Sequence, residues 1–289
     1  MWQFADGAGW IWGQRTYLMG VLNVTPDSFS DGGRFTTIEA AIAQAQAMVR
    51  GGADVLDVGG ESTRPQAAAV SLPEELSRVV PIIRAIRCGS DVCAPMTVPI
   101  SVDTTKAAIA RAAIEAGANL VNDISGATVD PAMLSTVAEL GVPIVLMHSR
   151  GTPKTMQQLT QYGDLMGDVY DFLARRVEAA IASQIPQAQI AVDPGIGFAK
   201  TYTQSLEILR QLPRLKSLGC PILVGVSRKS FIGHLLSQPD PTQRVWGTAA
   251  ACYAAIANGA DLLRVHDVPE MYDVCRVADA LVREGDRSL

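Results

Sequence analysis

The chain has 289 residues, 48% of them hydrophobic and only 6% aromatic, with a net charge of −5 and acidic and basic side chains mixed along its length. That mixture offers no basic stripe, which excludes nucleic acid as the main partner, and no apolar run is long enough to cross a bilayer. The five cysteines, Cys88, Cys93, Cys220, Cys252 and Cys275, form no CxxC pair, so a reducing cytoplasm fits better than a disulfide or zinc framework.

The first sixteen residues carry Trp2, Trp10 and Trp12 but no basic-then-apolar run, and do not read as a signal peptide. They are expected to be an N-terminal extension, with Trp10-Ile11-Trp12 packed on the underside of the domain that follows. From Tyr17 onward, nearly continuous apolar runs near 17–23, 53–58, 98–103, 118–123, 143–148, 189–193, 221–226 and 260–265 read as strands buried on both faces.

Helical patterns fill the intervals. Thr36 with Glu39, and Ser71 with Glu74, have the spacing of capping boxes. Apolar stripes run through Ile38, Ile42, Ala45 and Val49, then Val169, Phe172, Leu173, Val177 and Ile181, then Met271, Val274, Val277 and Leu281. A weak repeat, Gly52-Ala53-Asp54, Gly117-Ala118-Asn119 and Gly259-Ala260-Asp261, marks helix-to-strand junctions, with variants at Gly141 and Gly219. About eight β-then-α units predict a single-domain α/β fold, a (β/α)8 TIM barrel over residues 17–289. An open doubly wound sheet is the alternative, weakened because no GxGxxG follows the first strand.

In such a barrel the loops after the strands form the active face. Those loops receive Asn23, Glu61 and Arg64, Asp103, Asn122 and Asp123, His148, Asp193, Arg228 and Lys229, and Arg264 and His266. Any one of these alone is most simply a helix cap or a loop tie, as Asp103 before Thr104 would be. All of them on one rim imply a convergent polar site. The three histidines are too dispersed for a metal cage. No Ser-His-Asp order suggests acyl transfer, so the nucleophile is expected to belong to a substrate.

Long motifs then narrow the reading. GVLNVTPDSFSDGGRF at 20–35 and GGESTRP at 59–65 resemble the paired signatures of the dihydropteroate synthases, followed in order by SVDTTK, NDISG, VDPGIGF, GVSRKSFIG and RVHD. The resemblance runs from Tyr17 to the last helix. It departs at the first sixteen residues, at 66–70 and at 88–97. It implies coupling of 6-hydroxymethyl-7,8-dihydropterin diphosphate to p-aminobenzoate with release of pyrophosphate, magnesium as cofactor, and a homodimer through the later helices.

The same resemblance distributes the roles. Asp103, Asn122, Met147, Asp193, Phe198 and Lys229 would hold the pterin, with Asp193 accepting from two ring donors as a carboxylate accepts an arginine. Asn23, Thr63, Arg264 and His266 would hold the diphosphate, Asn23 also as magnesium ligand. Phe29, Asp31, Thr63, Arg64 and Pro65 would frame p-aminobenzoate from two Gly/Pro-containing loops, with Ser230 at its far end. Lys229, Asp103, Arg264 and His266 are the catalytic set, acting by charge stabilisation rather than nucleophilic attack. A pterin-dependent methyltransferase or a non-catalytic pterin-binding paralogue would share the pterin readers. The first would not need the two signature loops or the Arg264 and His266 pair.

Overall fold

The structure, a computed structural model, describes residues 2–4, 9–24, 34–62, 69–89 and 94–283. Eight parallel strands lie side by side: β3 (Tyr17–Asn23), β4 (Val55–Gly59), β5 (Ile100–Asp103), β6 (Leu120–Asp123), β7 (Ile144–Met147), β8 (Ile190–Asp193), β9 (Leu223–Val224) and β10 (Leu262–Val265). The hydrogen-bonded order is β8-β7-β6-β5-β4-β3-β10-β9. A bridge between Val192 and Ile222, with Val192 N donating to Pro221 O at 3.0 Å, joins β8 to β9 and closes the ring. The fold is a TIM barrel.

Around it run α1 (Arg34–Arg50), α2 (Leu72–Cys88), α3 (Ala107–Glu115), α4 (Met133–Leu140), α5 (Leu165–Ala182), α6 (Tyr202–Gln211), α7 (Ser230–Leu235), α8 (Val245–Ala257) and α9 (Val268–Val282). The glycines of the repeat and its variants, Gly52, Gly117, Gly259, Gly141 and Gly219, all have positive φ. The third residue of the repeat has a separate task. Asp54 accepts the N–H of Leu18 at 2.8 Å, Asn119 that of Ile100 at 2.9 Å and Asp261 that of Ile222 at 3.0 Å. Each side chain satisfies a donor at or just before the start of a neighbouring strand.

Two expectations about the helices need correction. Helix α1 begins at Arg34, so Thr36 lies inside it rather than capping it. Ser71 does sit at the N-cap of α2, but its side chain makes no cap hydrogen bond, and Glu74 pairs instead with Arg78 one turn on. The stripes also shift. Ile181 is 42% exposed, Val277 62% and Leu281 68%, while Ala180, Cys275 and Ala278 face the barrel. Close helix-to-sheet packing selects the small residues and turns the large ones outward.

Beneath the ring, β1 (Trp2–Gln3) and β2 (Gly9–Trp10) pair antiparallel and form one apolar cluster with Phe4, Tyr17, Met19, Val55, Leu120, Val145, Ala191, Leu223 and Leu262. Trp10 stacks on Tyr17 with ring centres 4.6 Å apart, and Trp12 lies edge-on to Tyr17 at 5.4 Å. Ile11 between them is exposed. The tryptophans therefore plug the lower end of the barrel. Trp10→Ala is expected to cost about 3–5 kcal/mol of stability, the usual loss for a buried aromatic, measured by urea unfolding. A loss below about 1 kcal/mol, the scale of a surface change, would show that the hairpin is not part of the core.

Candidate active site

The barrel interior changes character along its axis. Strand side chains alternate, so inward positions recur every second residue. On β4 they run Val55, Asp57, Gly59; on β6 Leu120, Asn122; on β7 Val145, Met147; on β8 Ala191, Asp193; on β10 Leu262, Arg264. Each first member belongs to the apolar lower cluster. Each later one lies toward the strand's C-terminal end. The lower half is thus a plug and the upper half a polar cup.

One cation spans the cup. Arg264 donates from Nε to Asp57 Oδ2 at 2.6 Å and from Nη2 to Asp103 Oδ2 at 2.7 Å. Asn122 adds a donor to the same Asp57 oxygen at 3.1 Å. Asp103, adjacent in register to Asn122 and to Gly59, is thereby an ion-pair partner and not a helix cap; the N-cap position of α3 is Lys106. Burial pushes the Asp103 carboxyl up to about 7, against the lowering effect of Arg264, with Asp57 and Glu75 adding repulsion. Arg264 is itself desolvated, but Asp57 and Asp103 more than offset this and hold it charged.

Asp57 was not singled out from the sequence. It stands mid-strand in an apolar run, away from the strand ends where functional groups were sought, and it is fully buried. The available signal was an acidic residue at an interior strand position, where charge is rarely buried without a partner.

Across the cup, Asp193 ends β8 beside Met147, its register partner on β7. Its Oδ1 accepts the Gly195 N–H at 2.7 Å. Burial raises the pKa of Asp193, countered by Lys229, that N–H, Lys200 and Arg264. Lys229 lies over the Phe198 ring, 5.0 Å from its centre, and donates to the Ile196 carbonyl. Burial brings its ammonium down to about 8, although Asp193 favours the charge. Met147 is 3% exposed yet belongs to neither hydrophobic cluster, which places it in the cup and not in the packing beneath the helices.

His266, just past β10, holds Ser227 Oγ through its backbone N–H at 3.1 Å and its Nδ1 at 3.0 Å. Asn23 ends β3 at the rim, half-buried, and Ser230 opens α7, exposed. Other rim residues face elsewhere. Arg228 pairs with Asp267, Glu61 with Lys106, Asp123 accepts from Ser125, and His148 meets Lys200 behind the cup. Phe29, Asp31, Thr63, Arg64 and Pro65 lie outside the described residues.

Among the described residues no three acidic, histidine or cysteine side chains gather as a metal cage. What the cup provides is three carboxylates (Asp57, Asp103, Asp193), two cations (Arg264, Lys229) and the Asn122 amide around a space walled by Met147 and Phe198. That set can read a flat, polar heterocycle by its edge.

Comparison with known proteins agrees. A family model described as pterin binding enzyme matches residues 19–266. The dihydropteroate synthase of Synechocystis sp. is 58% identical over 94% of this chain and 92% of its own. Among solved structures, the Clostridium difficile dihydropteroate synthase, in the presence of pteroic acid, superposes with a TM-score of 0.88 at 42% identity, covering 96% of this chain and 100% of that one. The Xanthomonas albilineans enzyme with 4-aminobenzoic acid gives 0.85 at 44%, covering 92% and 93%. The chain belongs to the pterin-binding enzymes, and among them to the dihydropteroate synthases. It is therefore a transferase of folate synthesis.

The shared cation makes a titration test. Asp57→Asn removes a like charge from Asp103 and leaves Arg264 to it alone. The Asp103 pKa, about 7 in the native cup, is expected to fall, as followed by carbon-13 carboxyl resonances. An unchanged midpoint would mean that Asp57 and Asp103 do not share Arg264.

Proposed function

We propose that the chain joins 6-hydroxymethyl-7,8-dihydropterin diphosphate to p-aminobenzoate, giving 7,8-dihydropteroate and pyrophosphate. The observation that carries this reading is the Asp193 carboxylate at the mouth, converging with Asn122, Asp103 and Lys229 around Met147 and Phe198. Asp193 accepts from both N–H groups of the pterin edge. Asn122 and Asp103 meet the remaining ring edge, and the Lys229 ammonium leaves the Ile196 carbonyl to donate to a ring acceptor.

The diphosphate would lie toward Asn23 and His266, with the Arg264 Nη1, the guanidinium nitrogen not given to Asp57 or Asp103, and on the motif resemblance Thr63 would join them. One consequence corrects a simple reading of Arg264 and His266 as equivalent anion holders. Removing Arg264 would strand two buried carboxylates and disturb the pterin floor as well, whereas removing the His266 ring would release Ser227 and leave those carboxylates paired.

Asn23 fits magnesium, which keeps most of its waters and leans on few protein oxygens plus substrate phosphates. When bound there, the ion would neutralise leaving-group charge. The carbon–oxygen bond to the diphosphate breaks, and the arylamine nitrogen forms the new carbon–nitrogen bond and releases a proton. The protein's share is orientation and charge stabilisation by Lys229, Asp103, Arg264 and His266. On the motif resemblance, Phe29, Asp31, Thr63, Arg64, Pro65 and Ser230 frame p-aminobenzoate.

We read residues 1–16 as an N-terminal extension and 17–289 as the pterin-binding barrel domain, acting in the cytoplasm. Among the described residues no helix is long and apolar enough to cross a membrane. Among the described residues Cys88, Cys220, Cys252 and Cys275 are free thiols, which suits a reducing compartment. A homodimer would bury the apolar side chains exposed on the later helices, Trp246 at 83% with Leu235 and Leu236 beside the groove between α7 and α8.

Purified protein mixed with the pterin diphosphate, magnesium and p-aminobenzoate should form dihydropteroate and pyrophosphate together; pterin binding without turnover would contradict the proposal. Asp193→Asn sets a donor against a donor and should weaken a pterin lacking the diphosphate by about a hundredfold, against less than about tenfold for Asp103→Asn. Equal, small losses in calorimetric titration would remove Asp193 from this role.

A further inference from the structure

The segment from Asp193 to Lys200 folds across the mouth with positive φ at Gly195, Gly197 and Ala199. A side chain at 195 is impossible, since its Cβ would stand 1.9 Å from the His148 carbonyl oxygen. The segment's carbonyls are taken in turn by side-chain donors. Lys229 donates to Ile196, Gln157 to Gly197 at 3.2 Å, Lys200 to Phe198 at 3.0 Å and Tyr162 to Ala199 at 2.9 Å. Lys229 and Phe198 face the cup. Lys200 lies behind it and is 2% exposed.

The other partner of Lys200 is His148, whose Nδ1 lies 2.9 Å from Nζ. His148 is buried edge-on against Phe172, and its N–H donates to the Asp193 carbonyl at 2.8 Å. Burial, with Lys200 and Arg150 nearby, pushes the imidazole pKa down to about 2, so the ring is neutral and Nδ1 accepts from the ammonium. Burying an ammonium costs far more than burying a methionine of the same length. A chain that needed only to fill this space would carry an apolar residue.

We infer that Lys200 is a positioning residue for pterin recognition: its ammonium ties the Phe198 carbonyl to the His148 ring, and so fixes the Asp193 carboxylate and the Phe198 ring toward the mouth. This rests on the reading that Asp193 and Phe198 hold the pterin. Lys229 cannot serve alone. When it turns from the Ile196 carbonyl to the substrate, one of the loop's ties is lost while that of Lys200 remains. The charged groups facing Asp193 are Lys229, Lys200 and Arg264, and those facing Lys200 are Asp193, Lys229 and Arg150; burial pushes the Lys200 ammonium well below its ordinary value, with Asp193 favouring the charge against it.

Calorimetric titration of 6-hydroxymethylpterin into the whole chain tests this. Lys200→Met and His148→Leu should each weaken binding at least about tenfold, while His148→Asn, whose Oδ1 can stand where Nδ1 stood, should stay within about threefold. In Lys200→Met the acid limb of pterin binding should also move to higher pH, because Asp193 loses a nearby cation that favours its ionised form. A merely structural residue would lower the melting temperature without moving that limb. Wild-type affinity and an unmoved limb in Lys200→Met, while Asp193→Asn loses pterin, would overturn the inference. Wild-type affinity in Asp193→Asn would instead overturn the reading of Asp193. Should Lys200→Met not fold, the histidine pair decides: equal affinity in His148→Leu and His148→Asn overturns the inference.

Discussion

The upper half of the barrel depends on a guanidinium shared by two carboxylates. Arg264 from β10 reaches Asp57 on β4 and Asp103 on β5, with Asn122 from β6 on the same Asp57 oxygen. Strands distant in the chain are thus tied across the barrel by charge-assisted hydrogen bonds. Buried polar groups are tolerated only when partnered, so once Asp57 and Asp103 are inside, Arg264 must be there as well. The count remains uneven, with two acids to one base. Burial raises the Asp103 carboxyl and the second acid adds to it, while Asp57 Oδ1 has no hydrogen-bond partner among the described residues. A floor built this way can accept further donors from a ligand.

Opposite that floor, the proposed pterin readers Asp193 and Phe198 stand on a loop rather than a strand. The stretch after Asp193 cannot use ladder hydrogen bonds, because positive φ at Gly195, Gly197 and Ala199 turns it away from the sheet. Side chains from four places supply the donors instead. Lys200, held by His148, does so from behind and Lys229 from the front, with Gln157 and Tyr162 completing the set. On the proposed reading, such an arrangement would present a planar ring with the Asp193 carboxylate held by the loop and the Lys229 ammonium able to change partner.

Much of this was legible in the sequence, and the reasons are specific. Continuous apolar runs and the Gly-Ala-Asp or Gly-Ala-Asn junctions gave eight strands, because a barrel repeats one local problem eight times: ending a helix and starting a covered strand. Strand-end positions pointed to Asp103, Asn122, Asp193, Lys229 and Arg264. What was missed follows one rule. Asp57 and Lys200 sit at positions whose neighbours look like core, and only three-dimensional pairing shows why a charge is there. The α9 stripe failed for the opposite reason: Val277 and Leu281 look like core but face outward, beside the small Cys275 and Ala278 that allow close packing. The loop residues Phe29, Asp31, Thr63, Arg64 and Pro65 rest on motif resemblance alone.

On this reading the cup takes a pterin edge through Asp193 while Lys229 changes partner. A crystal structure of the chain with 6-hydroxymethylpterin addresses it most directly. The account requires both Asp193 carboxylate oxygens within hydrogen-bond distance of ring nitrogens, and Lys229 Nζ moved from the Ile196 carbonyl to a ring acceptor. A pterin bound with Asp193 unengaged, or with Lys229 still on Ile196, would contradict it.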